Sequence, residues 1–223
     1  MNIALKSRKP LARPGTGAEA LPANFKRVGI IGAGAMGNGI AHVVALAGYD
    51  VRVNDLAKDR YDKALATIDR NMTRQVSRGL ITGEAKITAL DRIAFAPSFK
   101  ELAECDLVIE VATEDEQVKR KIFQELCQHL KPTTVIASNT SSISITRLAA
   151  ATDRPERFVG IHFMNPVPVM QLVEMIRGIA TEDDTFTLAK TFVESLGKTI
   201  AVSEDFPAFI VNRILLPMIN EAI

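Results

Sequence analysis

The sequence predicts an α/β fold built on a doubly wound, mostly parallel sheet, and three observations carry that expectation. Short apolar runs alternate with helix-like stretches along most of the chain, the pattern of βαβ units whose sheet is covered on both faces. Gly48, Gly79 and Gly197 stand where a left-handed residue would end a helix. A glycine-rich segment, Gly32 to Gly37, joins the first apolar run to the first helical stretch.

Taken in order, a strand over 27–31 leads into a helix over 35–47, closed by Gly48. A strand over 50–54 and a helix over 57–78, closed by Gly79, repeat the unit. Strands follow over 92–96 and 106–111, then a helix over 116–130 and strands over 134–138, 157–163 and 171–176. A helix over 183–196 and a strand over 199–202 complete the alternation. From Pro207 the pattern becomes a single helix over 208–223, with Phe209, Ile210, Ile214, Leu215, Met218, Ile219 and Ile223 recurring at helical steps. The expected division is an N-terminal arm over 1–24, a nucleotide-binding domain over 25–206, and the start of a helical unit over 207–223.

Composition narrows the function classes. Of 223 residues, 47% are hydrophobic, and 27 Lys+Arg against 26 Asp+Glu leave a formal net charge of +1. That balance argues against a nucleic-acid or anionic-membrane surface, which would demand a marked cationic excess. No apolar run reaches the roughly 20 residues of a membrane span. Cys105 and Cys127 are too few for a disulfide framework and have no metal-ligand spacing, so a reducing, cytoplasmic setting without a metal centre is expected. The segment contains Pro10, Pro14 and Pro22 and reads as a mobile arm rather than a secretory signal, a transit peptide being the lesser alternative.

In Gly32-Ala33-Gly34-Ala35-Met36-Gly37 each glycine has a physical role. Gly32 permits a tight turn, Gly34 lets backbone approach a pyrophosphate, and Gly37 lets the helix pack closely on the strand. The exposed N–H groups of Ala35 and Met36 at the helix start favour an anion. Asp55 lies 23 residues beyond Gly32, at the end of the second strand. An acid there accepts from the adenosine ribose and repels a 2′-phosphate, which favours NAD over NADP, although Lys58 and Arg60 stand close in sequence. The fold is therefore expected to be Rossmann-like.

His42, His129 and His162 are the histidines available as a general base. His129 falls in the last turn of a predicted helix, and His42 is expected at a surface or semi-exposed position. His162 ends the apolar strand Phe158 to Phe163. Glu174 lies in the apolar strand Leu172 to Ile176, where an isolated carboxylate would carry a desolvation cost of several kcal/mol. A neighbouring strand carrying His162 would supply its partner, and the carboxylate would fix the imidazole tautomer.

Gly32–Gly37, Asp55, the run Ala137 to Ser142, the run His162 to Met170, Glu174, and Phe209-Ile210-Val211-Asn212-Arg213 together resemble the 3-hydroxyacyl-CoA dehydrogenases, from about Phe25 to Ile223 and in the same order. The resemblance implies a metal-free, NAD-dependent oxidation of an acyl-CoA thioester, with His162 as base and Glu174 as its electrostatic partner. It implies that Ser141 and Asn212 contact the substrate C3 oxygen, and that Glu114 and Lys119 lie against the nicotinamide half of NAD. Asn139 counts among the cofactor contacts on the same basis. The family has a helical C-terminal domain that dimerises, of which only the first helix is expected here. A homo-oligomer, self-associating through that helix, is the corresponding expectation. Ala208 departs from the glycine common in the family, and a helical first turn would accept it. Related hydroxyacid or sugar-acid dehydrogenases, or a catalytically silent nucleotide-binding fragment, are the competing readings.

Overall fold

A computed structural model describes residues 25–223; the predicted arm over 1–24 lies outside the described residues. Its order is β1 (Arg27–Ile31), α1 (Ala35–Leu46), β2 (Asp50–Asn54), α2 (Lys58–Ser77), α3 (Gly83–Asp91), β3 (Ile93–Ala96), β4 (Leu107–Glu110), α4 (Glu116–Leu126) and β5 (Val135–Ser138). There follow α5 (Ile145–Ala149), β6 (Phe158–Phe163), β7 (Leu172–Arg177), α6 (Asp183–Ser195), β8 (Thr199–Glu204) and α7 (Val211–Glu221). The strands form one sheet in the order β3-β2-β1-β4-β5-β6-β7-β8. Pairing is parallel from β3 through β6, antiparallel between β6 and β7, and parallel again between β7 and β8. This is the doubly wound, Rossmann-like arrangement, and its switch in winding direction falls between β1 and β4, where the carboxyl ends of the strands open a crevice.

Two apolar layers cover the sheet. One contains Ile40 and Val44 of α1, Ile68 and Met72 of α2, and Phe192 and Val193 of α6. The other contains Phe123 and Leu126 of α4 with Ile145 and Leu148 of α5. Gly48, Gly79 and Gly197 adopt φ of 97°, 67° and 71°, so the predicted helix stops are real left-handed residues.

Several expectations are corrected. His42 is buried rather than semi-exposed, because α1 is covered by the sheet on one side and by α2 on another, and His42 Nε2 pairs with Gln75 Oε1 of α2 at 2.9 Å. The helix carrying His129 ends at Leu126, so His129 lies in the turn beyond it. Two short helices, α3 and α5, were not anticipated; Thr82 caps α3 by accepting from Ala85 N–H. Finally, α7 starts at Val211 and not at residue 208, because Ala208 and Phe209 have φ of 66° and 49°. The chain turns left-handed before the helix, so Ala208 is in a conformation that favours glycine rather than in a helical first turn.

Candidate active site

The glycine turn follows β1 and opens α1. A side chain at Gly32, whose φ is 109°, would meet Ala112 Cα at 2.8 Å, and one at Gly37 would come within 1.8 Å of the Gly32 carbonyl oxygen. These two positions accept only glycine. A Cβ at Gly34 would meet nothing within 4 Å, so the space above the turn is open. Helix α1 has no side-chain cap and no acid in its first turn. Its first N–H groups, at exposed Ala35 and half-buried Met36, are thus uncompensated, as an anion at a helix N-terminus requires. Asp55 follows β2 and takes the Ala33 N–H at 2.7 Å on Oδ2 and the Leu56 N–H at 2.7 Å on Oδ1. Arg60 stands 3.7 Å from Oδ1, while Lys58 turns away to Asp62. The carboxylate is therefore fixed at the rim of the turn with lone pairs to spare. An open, uncapped glycine cradle with an acid at its rim fits a dinucleotide.

At the other end of the crevice a small pocket of about 190 Å³ is lined by Met36, Val111, Ala112, Thr113, Glu114, Lys119, Asn139 and Ser141. Glu114 holds its wall: one carboxylate oxygen accepts from Thr140 Oγ1 at 2.7 Å, Ser141 N–H at 2.8 Å and Ser142 Oγ at 3.1 Å. Asn139 is buried and its Oδ1 accepts from Phe163 N–H at 2.8 Å, tying the end of β5 to the residue after His162. Lys119 is 1% exposed and lies 2.5 Å from Glu110 Oε2 and 4.0 Å from Glu114 Oε2. Glu110 was not anticipated. The signal was available: it ends the apolar strand Leu107–Glu110, an acid in the same kind of setting as Glu174.

His162 of β6 and Glu174 of β7 are register partners. His162 Nδ1 donates to Glu174 Oε2 at 2.7 Å, and the pair is 6% and 0% exposed. A carboxylate can only accept, so the proton sits on Nδ1 and Nε2 keeps its lone pair. The second oxygen of Glu174 accepts from Ile210 N–H at 2.9 Å and Val211 N–H at 2.8 Å. Ile210 has no capping side chain, so Glu174 is the cap of α7. One turn of that helix includes Asn212, whose Nδ2 donates to the Ser141 carbonyl at 3.2 Å. Phe209 is buried, with its ring 6.0 Å from the imidazole. Asp205 anchors the approach: its carboxylate accepts from Ser144 Oγ and from the N–H groups of Ile145 and Thr146, each at 2.8 Å. Neither Ser141 Oγ nor His162 Nε2 has a hydrogen-bond partner among the described residues.

A glycine cradle at the switch point, leading to a pocket whose Asn139 is tied to the residue after an oriented imidazole, defines a dinucleotide-dependent dehydrogenase. Residues 27–206 match the family described as 3-hydroxyacyl-CoA dehydrogenase, NAD binding domain. The chain belongs to this family, and NAD is its cofactor. It is 68% identical over 203 residues to a 3-hydroxybutyryl-CoA dehydrogenase of Bradyrhizobium diazoefficiens, covering 91% of this chain and 69% of that one. A probable 3-hydroxybutyryl-CoA dehydrogenase of Deinococcus radiodurans is 48% identical over 197 residues, covering 88% and 70%. The solved (S)-3-hydroxybutyryl-CoA dehydrogenase PaaH1 of Ralstonia eutropha superposes with a TM-score of 0.87 at 45% identity, over 89% of this chain and 70% of that one.

Proposed function

We propose that the chain catalyses the reversible oxidation of an (S)-3-hydroxyacyl-CoA, with 3-hydroxybutyryl-CoA as the substrate, to the 3-oxoacyl-CoA. The observation that carries this reading is the buried His162–Glu174 pair with an unengaged Nε2. His162 Nε2 takes the C3 hydroxyl proton, and Glu174 stabilises the imidazolium that forms. Bound NAD would supply the acceptor for the hydride that leaves C3. In the reverse direction the imidazolium returns its proton to the oxygen at C3. Ser141 Oγ and the second N–H of Asn212 Nδ2 orient that oxygen toward His162; the Asn212–Ser141 contact supports their acting together. The turn at Gly32, Gly34 and Gly37 takes the pyrophosphate, Asp55 the adenosine ribose, and Met36, Glu114, Lys119 and Asn139 the nicotinamide half, a reading supported by their common pocket.

The same reading takes 25–206 as the nucleotide domain and 207–223 as the start of a helical unit. None of the residues of α7 is buried, and Ile214, Leu215, Met218 and Ile219, at three- and four-residue helical steps, are 63%, 39%, 61% and 46% exposed, which supports association of two copies through this face. A cytoplasmic setting rests on the unpaired Cys105 and Cys127, whose thiols burial pushes up to about 12 and about 11.

Oxidation of NADH in the presence of acetoacetyl-CoA, compared with free acetoacetate, tests the substrate. Turnover confined to the thioester is expected. Equal turnover of the free acid would favour a hydroxyacid dehydrogenase, and NADH binding without turnover of either would leave a nucleotide-binding role alone.

A further inference from the structure

Glu110 lies at the carboxyl end of β4, paired in register with Ile31 of β1 and Ser138 of β5, so it sits at the switch point itself. It is fully buried, at 0% exposure, and so is the cation opposite it, Lys119 of α4. Burying two charges is costly unless each is closely paired and otherwise satisfied. Glu110 is satisfied on both oxygens. Oε2 faces Lys119 Nζ at 2.5 Å and accepts from Ser138 Oγ at 2.9 Å, while Oε1 accepts from Ala112 N–H at 2.8 Å. Lys119 is less so: apart from Glu110 its ammonium has only Ser138 Oγ at 3.4 Å and the half-exposed Glu114 at 4.0 Å. A lysine has three N–H donors, and this one lines the pocket with Met36, Asn139 and Ser141.

Glu110 also reaches the glycine turn. Ala112, held by Glu110 Oε1, is the residue a side chain at Gly32 would strike. One carboxylate therefore fixes the Val111–Ala112 floor of the crevice, the end of β5 just before Asn139, and the charge at the pocket wall.

We propose that Glu110 is a positioning residue for the cofactor, holding the Lys119 ammonium at the pocket wall so that its remaining donor meets the ribose hydroxyls of the nicotinamide half. This rests on the reading of Lys119 as a cofactor contact. A purely structural ion pair would contribute to stability and leave the nucleotide indifferent to it.

NADH titrations by fluorescence, without substrate, separate the two. In Glu110→Gln the side-chain shape survives but the charge is gone, and Lys119 is left buried with only Glu114 to oppose desolvation. NADH affinity should fall roughly tenfold or more, as when one partner of a buried charge pair is removed. Lys119→Met should weaken NADH at all pH values, and the double variant should bind no worse than Lys119→Met alone, since Glu110 acts through the lysine. The double variant also guards against misfolding, because no unpaired charge remains in its core. Loss of thermal stability in Glu110→Gln with an unchanged NADH affinity, or a double variant that binds NADH worse than Lys119→Met alone, would overturn the proposal. An unaffected affinity in Lys119→Met would overturn the reading of Lys119 as a contact, and the proposal with it.

Discussion

His162 and Glu174 are only 12 residues apart in sequence and face each other across the antiparallel ladder of β6 and β7, with Nδ1 and Oε2 at 2.7 Å. The antiparallel pair interrupts an otherwise parallel run, and that reversal lets a short connection bring the two side chains into register. The other Glu174 oxygen caps the helix that bears Asn212. A single carboxylate thus aligns the base and the segment that carries a second site residue.

Removing the base should cost more than removing its partner's charge. His162→Gln is expected to lower turnover by at least about a hundredfold while NADH binding persists. In Glu174→Gln the amide must present N–H either to the imidazole or to the N–H groups of Ile210 and Val211, and facing the imidazole would select the wrong tautomer. A clear loss of turnover, smaller than that of His162→Gln, is expected, with a lower melting temperature that His162→Gln does not share. Near-normal rates in both would move the acid-base role elsewhere.

How much of this was legible depended on whether the physics is local. The alternation of short apolar runs with helix-like stretches locates all eight strands, most plainly β1, β4, β5 and β6, where a buried strand has little choice but to be apolar. The Glu174 partner was legible because an acid in such a strand must find one. Glu110 carries the same signal, and its partner Lys119 sits on a helix whose buried face also includes Phe123 and Leu126. His42 was misread because helical periodicity assumes one covered face, whereas α1 has two. Nothing local announces that Ala208 is left-handed; that follows from Asp205 and Glu174 fixing the chain on either side of it.

The glycine turn separates packing from binding. Gly37→Ala places a Cβ 1.8 Å from the Gly32 oxygen, so the turn must move, and melting temperature and NADH affinity should fall together. Gly34→Ala meets nothing within 4 Å and should leave the melting temperature within about 1–2 °C, a shift equal to a few tenths of a kcal/mol. Its methyl group nonetheless fills space above the turn, so NADH affinity should still drop. Undiminished binding in Gly34→Ala would move the pyrophosphate off this turn.

Burial and the charge of Lys198 hold His42 below its ordinary value of 6.5, outweighing the Gln75 hydrogen bond that acts to raise it. Its Nδ1 is buried without a partner among the described residues. Between pH 6.5 and the lowered folded value, the unfolded chain binds a proton that the folded chain refuses. This contribution to stability is therefore full above about pH 6.5 and is lost as pH falls through that window. Urea denaturation at a series of pH values should show stability declining below about pH 6.5, and His42→Met should flatten that decline. A slope unchanged by the substitution would assign the pH dependence to other groups.

Ala208 offers a substitution that should improve the protein. At φ of 66° an alanine Cβ crowds the following carbonyl, at a cost of about 1–2 kcal/mol that glycine avoids. Glycine forfeits about 0.5–1 kcal/mol through the entropy of its unfolded state, so Ala208→Gly should gain up to about 1.5 kcal/mol. Because Ala208 lies between Asp205, which anchors the Ser144 end of the serine loop, and Ile210, which Glu174 holds, the gain is expected in the linkage of α7 to the sheet. Amide exchange should slow at Ile210 and Val211, whose N–H groups bond Glu174, more than at α1 or α2. Denaturation midpoints at or below those of the parent chain, together with unaltered exchange at these two amides, would show that the left-handed alanine carries no strain and that the seat of α7 is set by the two carboxylates alone.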